Sequence, residues 1–265
     1  MDERIKKTLR TLQSEFPVLK ELKDRFYLHA RRMLRTPHER DFAVLRWFPA
    51  STKECFVDVG ANQGQSIESI LLGQPDAIIV SFEANPVLGQ KLAQRYQDRR
   101  NVQVVPKGLS DSPGNFTLFV PSYKGFVYDG LASLDRKAAA AWINDRTVFG
   151  FDADKLAISE VQCETETLDS QHLTPLFIKV DVQGCEYNVL NGGRKTLLQW
   201  EPVLLVEGFK SDQRTVRLAQ ELGYEEYYFD GSHFRKGPPV KGENSFLITP
   251  GRIKDYLQWR KRRTQ

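Results

Sequence analysis

Four carboxylates stand where apolar runs of the chain end. Asp58 lies in residues 55–59, Glu83 follows 77–82, Asp181 closes 176–181 and Glu207 follows 203–206. Each run is short and rich in β-branched or aromatic residues, so each reads as a buried strand. Ligands of open α/β sheets bind outside the carboxyl ends of their strands, which makes these four acids candidates for one site. The first run leads into Gly60-Ala61-Asn62-Gln63-Gly64, and residues 65–72 have helical character with Ser66 in the first turn. Strand, glycine loop and helix together let backbone N–H groups approach a ligand closely. Glu83, followed by Ala84 and Asn85, ends the second strand of a βαβ unit. An acid there is placed to accept hydrogen bonds from the two hydroxyls of a ribose. The unit is expected to bind a nucleoside-containing cofactor.

A dinucleotide fingerprint wants a glycine in the middle of its loop, so that a pyrophosphate can lie against bare backbone. Here Asn62 holds that position and Asp58 precedes the loop. Both changes suit S-adenosylmethionine, which carries an ammonium, a carboxylate and a sulfonium but no phosphate. Asp58 can meet the ammonium directly, meet it through water, or hold the loop in shape. Farther along, Leu109, Ser110 and Asp111 have the types expected of a loop closing over an adenine, although alone the stretch is merely a turn.

These residues need a scaffold. At 265 residues and 40% hydrophobic content the chain is long enough for one sizeable domain with an appendage. Residues 1–50 read as a helical cover, with Phe16, Leu19, Leu22, Phe26, Ala30 and Met33 at helical spacing. Ser14 is a candidate cap and Pro17 fits a first turn, and a second helix over 39–48 ends at Pro49. Residues 51–250 form the cofactor domain and 251–265 a basic C-terminal helix. Within that domain the reading has a helix over 86–98, strands over 102–105, 115–120 and 160–168, and a helix running to about Leu198. Ser211 then caps a helix that stops near Gly223, and residues 224–229 pair antiparallel with 245–249. Residues 121–160 break the alternation and carry Tyr123, Phe126, Tyr128, Trp142 and Phe149, with a helix over 135–143. They read as a wall or lid for the acceptor, or as a surface elaboration with its own small core.

Charge is uneven. Residues 1–50 hold twelve Lys/Arg against seven Asp/Glu and residues 251–265 six against one, so each end is +5 and the middle −6 of a net +4. Solvated faces of terminal helices explain the ends, and the acidic middle suits a cationic cofactor. No apolar run is long enough to span a bilayer, and the N-terminus lacks the apolar core of a signal peptide. Three scattered cysteines, Cys55, Cys163 and Cys185, point to reduced thiols and a cytoplasmic setting. The four histidines show no metal spacing.

Taken together, Asp58-Val59-Gly60-Ala61-Asn62-Gln63-Gly64, Phe82-Glu83-Ala84-Asn85-Pro86 and Gly108-Leu109-Ser110-Asp111 resemble the FkbM family of methyltransferases. So do Thr167-Leu168-Asp169, Ile178-Lys179-Val180-Asp181-Val182-Gln183-Gly184-Cys185-Glu186 and Leu190-Asn191-Gly192-Gly193. The resemblance implies a class I Rossmann-like sheet of seven strands, mostly parallel with an antiparallel hairpin at the C-terminal edge. It also implies S-adenosylmethionine-dependent O-methylation of hydroxyls on saccharides, glycolipids or other natural products. Family members usually carry Glu where this chain has Gln183.

A hydroxyl is a poor nucleophile until its proton is being removed, so a nearby base helps. Asp181 is the first candidate, Glu186 and Glu207 are second, and Lys179 can tune or anchor a carboxylate. Asp181 and Glu207 could instead share a divalent cation, but no third ligand is evident and a metal-free site is expected. An RNA or nucleobase methyltransferase is disfavoured, because Asp181-Val182-Gln183-Gly184 replaces the Pro-Pro-aromatic run that stacks a base. A dehydrogenase is opposed by Asn62. A non-catalytic module would bind the cofactor without turnover. The acceptor and the oligomeric state are not legible in the sequence.

Overall fold

The apolar runs bounded by glycine, proline or polar residues become strands of one eight-stranded sheet in a computed structural model. The structure describes residues 3–16, 31, 33–49, 53–239 and 244–264. The chain divides into two units, Leu34–Gly114 with Glu164–Gln265 and Met1–Met33 with Asn115–Cys163.

In the larger unit the strands are β1 (Cys55–Val59), β2 (Ile79–Phe82), β3 (Val102–Val105), β8 (Pro175–Val180), β9 (Val203–Glu207), β10 (Glu225–Phe229), β11 (Phe234–Lys236) and β12 (Asn244–Ile248). The remaining strands, β4 to β7, form a second sheet and follow below. The order is β11-β10-β12-β9-β8-β1-β2-β3. Pairing is parallel from β9 through β8, β1 and β2 to β3, and β12 runs antiparallel to both β9 and β10. This is the class I methyltransferase arrangement. Its seven-strand frame gains an eighth, the short β11, which hairpins back on β10. Strand order reverses at β1, which is flanked by β2 on one side and β8 on the other. In open α/β sheets such a switch point is where ligands bind, outside the carboxyl ends of the strands.

Alternate side chains of the strands feed two cores. Phe48, Phe56, Phe177, Phe246 and Tyr256 pack on one side, and Val57, Val59, Ile178, Val180, Leu204 and Val206 on the other. The first core is closed by Phe42, Val44, Leu45 and Phe48 of a 3-10 helix (Arg40–Trp47) and its cap, and by the C-terminal helix that follows β12, Pro250–Thr264. Residues 39–48, read as an α-helix, form a 3-10 helix over Arg40–Trp47 instead.

The N-terminal helix α1 (Glu3–Glu15) belongs to the smaller unit. Ser14 lies inside it and does not cap it. Its hydroxyl donates to the Arg10 carbonyl and meets the Tyr128 hydroxyl at 2.8 Å. Lys7 and Arg10 lie over the rings of Phe149 and Trp142, 4.4 and 4.5 Å from their centroids, and Thr11 accepts the Phe149 N–H. The helical spacing read over 17–30 lies outside the described residues. Strands β5 (Gly114–Tyr123) and β7 (Leu156–Glu166) run from one unit into the other, and β6 (Phe126–Val127) hairpins on β5. Tyr123, fully buried and stacked on Phe151 at 5.5 Å, centres a small core with Ile143 and Val148. The aromatic stretch thus has a core of its own.

Three local expectations are corrected. Residues 108–109 do not stay in a turn but form a short strand, β4 (Gly108–Leu109), paired with the end of β7. The helix after Gln183 is two helices, Glu186–Asn191 and Arg194–Trp200, broken at Gly192-Gly193. A Cβ on Gly192 would fall 2.0 Å from the Ser110 carbonyl oxygen, so a through-going helix with a side chain here would collide with that loop. The cap of Gln213–Glu221 is Asp212, which accepts the Arg214 N–H, and not Ser211.

Candidate active site

The glycine loop is built by backbone contact. Gly60 has φ +88°, and a Cβ there would lie 1.9 Å from the Asp181 carbonyl oxygen. Only glycine lets the end of β1 lie against the end of β8, where Asp181 N–H donates to the Val59 carbonyl. Asn62 takes the left-handed conformation (φ 48°) and Gly64 follows at φ 85°. Gly64 begins helix α2 (Gln65–Gly73), which buries Ser66 in its first turn.

Glu83 lies directly after β2 and is 8% exposed. One carboxylate oxygen accepts the Asn62 N–H at 2.7 Å and the other the Asn85 N–H at 2.9 Å. Burial pushes this carboxyl above its ordinary range against the pull of those two amides. Ala84 is half-buried, and Asn85 caps the next helix, α3 (Pro86–Tyr96), by accepting the Val87 and Leu88 N–H groups. On the other side, Leu109 is buried and the Ser110 N–H donates to the Glu166 carbonyl. Asp111 is exposed and accepts from Asn188 at 3.0 Å.

Lys179 joins the loop to the acids. Its side chain, almost sealed from solvent, donates to the Gly60 carbonyl at 3.0 Å and reaches Asp181 at 3.1 Å and Asp58 at 3.6 Å. Burial works against its charge, but the two aspartates outweigh it and raise the ammonium above its usual range. Asp58 is wholly buried and accepts from Ser81 at 2.8 Å. Burial raises its carboxyl despite Lys179 and Ser81, consistent with the ammonium standing nearer to Asp181.

Asp181, Gln183 and Glu207 form the outer rim. The Gln183 amide donates to Asp181 at 2.9 Å and to Glu207 at 3.2 Å. Asp181 is partly desolvated, yet Lys179 and the hydrogen bonds from Glu207 and Gln183 hold it below the usual carboxylate range. Glu207 is pushed up to about 8, first by its hydrogen bond with Asp181, then by burial and by the charge of Asp181. Glu186 is directed elsewhere: one oxygen accepts the Val182 and Gly184 N–H groups and holds the turn after β8.

The structure therefore joins Lys179 directly to Asp58 and Asp181, and links Asp181 to Glu207 through the Gln183 amide. Two contributors, Ser81 and Asn244, are not singled out by the sequence, and Gln183 stands out there only as a departure from the family pattern. Ser81 is an ordinary strand serine until β2 pairs with β1 and sets it opposite Asp58. Gln183 reaches both acids only because the turn is left-handed there. Asn244, paired with Glu207 across β9 and β12, donates to Glu39 and Asp41 at 2.7 and 3.1 Å, which brings a segment assigned to the cover near the rim.

A raised carboxyl has a consequence for stability. The stability that the Glu207 proton confers is fully present below the ordinary carboxylate value of 4.5 and is lost as pH rises through about 8. Thermal melts of Glu207→Gln should therefore lose part of the wild-type decline in stability between those two values; parallel curves would contradict the shared proton.

The donor set favours a cationic ligand with vicinal hydroxyls. Glu83 is oriented by two amides at a strand end, the rim is acidic, and a side chain rather than bare backbone occupies the middle of the loop. Among the described residues no group of three or more His, Cys, Asp and Glu is arranged to hold a metal ion, and no helix is long and apolar enough to cross a membrane.

A family model described as the methyltransferase FkbM domain matches residues 58–230. Among solved structures, the chain is similar to the methyltransferase FkbM of Methylobacillus flagellatus KT, at 15% identity and TM-score 0.46, covering 79% of this chain and 48% of that one. It thus spans about half the length of that relative. It is also similar to the SAH-bound Podospora anserina methyltransferase PaMTH1, at 12% identity and TM-score 0.37, covering 87% of this chain and 95% of that one. No curated protein matches it.

Proposed function

Because the chain belongs to the FkbM family of methyltransferases, we propose that it transfers the methyl group of S-adenosylmethionine to a hydroxyl oxygen of a saccharide, a glycolipid or another hydroxyl-bearing natural product. The observation that carries the reading is the pair of carboxyl groups, Asp181 and Glu207, at the carboxyl ends of neighbouring central strands and bridged by one Gln183 amide. Bound S-adenosylmethionine supplies a methyl carbon activated by its sulfonium, so the protein's tasks are to hold the acceptor oxygen in line, keep out water and accept a proton.

Glu83 accepts the ribose hydroxyls. Gly60, Asn62, Gly64 and Ser66 form the loop and helix start against the methionine end, and Leu109, Ser110 and Asp111 border the adenine. Asp58, sealed beneath Lys179, keeps that lysine charged and the loop in shape. Lys179 anchors Asp181 and ties it to the Gly60 carbonyl. Asp181 takes the hydroxyl proton, Glu207 shares it, and Glu186 positions the turn between them. The scattered thiols, all free, support a cytoplasmic setting.

The test is incubation of the purified protein with methyl-labelled S-adenosylmethionine and a panel of glycans, glycolipids and polyhydroxylated extracts. Label on oxygen is the expected result. Label on nitrogen or carbon alone, or calorimetry that finds no donor binding, would overturn the reading.

A further inference from the structure

We propose that Gln183 is a positioning residue for the transfer reaction: its one amide nitrogen bridges Asp181 and Glu207 and makes them a single proton-accepting unit. The inference rests on the O-methylation reading above. The two carboxyl groups come from the ends of different strands, Glu207 lying 24 residues beyond Gln183 in the chain, and the same Gln183 nitrogen reaches both, at 2.9 and 3.2 Å. It does so from an uncommon backbone state. Gln183 has φ 55° and is followed by Gly184 at φ 99°, a conformation that side chains other than glycine rarely adopt. Glu186 holds the neighbouring Val182 and Gly184 amides, so the turn is fixed and the side chain is aimed between the acids. Strain kept at such a point is a known mark of functional sites.

The surroundings decide which acid is ionised. Asp181 receives Lys179 as well as the amide, whereas Glu207 has the amide and Asp181 itself. The charges felt at the pair are Lys179 on β8, Asp58 on β1 and Glu39 ahead of the 3-10 helix. Of these Lys179 is positive. One proton therefore stays on Glu207 while Asp181 carries the charge. The amide donates to both acids and adds no charge, whereas the Glu usual at this position in the family would add a third acid.

In the reaction the acceptor oxygen forms its bond to the methyl carbon as its O–H bond breaks. The electron pair of the carbon–sulfur bond stays on sulfur, whose positive charge disappears. The hydroxyl proton goes to Asp181, whose negative charge disappears with it, and the pair later returns one proton to water. Charge is balanced throughout, and no other reactant is needed.

The experiment compares wild type with Gln183→Glu, which keeps the shape but replaces the donor by a third acid, and Gln183→Met, which removes the polar end. Carbon-13 NMR of the side-chain carboxyls in the free protein, assigned with Asp181→Asn and Glu207→Gln, reads the pair's two ionisations without turnover. In both variants the lower ionisation is expected to move up by about one pH unit, the scale of one lost hydrogen bond to a charged group. The acid limb of kcat/KM should move with it while calorimetric donor affinity stays within about twofold. Unshifted ionisations in a variant that melts like wild type overturn the proposal. So does failure of both variants to fold, which would make Gln183 purely structural. If the ionisations shift but no hydroxyl acceptor is ever methylated, the bridge stands and the O-methylation reading falls.

Discussion

Asp181→Asn is expected to lower turnover by two to four orders of magnitude, the range that a positioned base contributes, while donor affinity changes by no more than a few-fold. The substitution is close to isosteric, so Lys179 keeps its contact with the Gly60 carbonyl and its pairing with Asp58. What is lost is the ionised acceptor nearest to the rim. Single-turnover methyl transfer measured beside isothermal titration of the donor separates the two effects. Turnover within tenfold of wild type would remove Asp181 as the base and turn attention to Glu207.

Glu83→Ala is expected to weaken donor binding by about two to four orders of magnitude. Two hydrogen bonds to a charged acceptor are each worth about 1.5–3 kcal/mol, and every 1.4 kcal/mol is tenfold in affinity. The alanine also frees the Asn62 and Asn85 amides, which Glu83 holds at 2.7 and 2.9 Å, so part of the loss can come from a loosened loop. Glu83→Gln separates the two contributions because it retains one acceptor for an amide and a neutral contact for the ribose. An intermediate affinity is expected for it, with a melting temperature above that of the alanine variant. Titration showing donor affinity within a few-fold of wild type for Glu83→Ala would withdraw the ribose assignment.

The parts of the fold that were legible are those where local and long-range demands agree. Cys55–Val59 and Pro175–Val180 are buried on both faces because each strand has a core on either side, and such largely apolar runs read directly as central strands. The antiparallel pair at the C-terminal edge was readable from its alternation. Gln183 and Asn244 were opaque for a different reason: an amide's partner is set by a turn's handedness or a strand's neighbour, and neither is written in residue type. The helix break at Gly192-Gly193 had a local signal in the paired glycines, but the close approach of the Ser110 carbonyl that Gly192 permits comes from some eighty residues away in the chain. The N-terminal segment misled in part. Ser14 has the side chain of a cap, but a hydroxyl inside a helix can bond the carbonyl four residues back, as it does with Arg10.

At two places glycine lets backbone touch backbone at the closest approach, Gly60 on Asp181 and Gly192 on Ser110, and both bear on how such a protein can be changed. Neither contact has a side chain between its members, so neither can be adjusted by small swaps of residue size. Variant libraries screened for folded members will recover them with both glycines untouched, and diversity will collect in parts of the chain that do not share these seams.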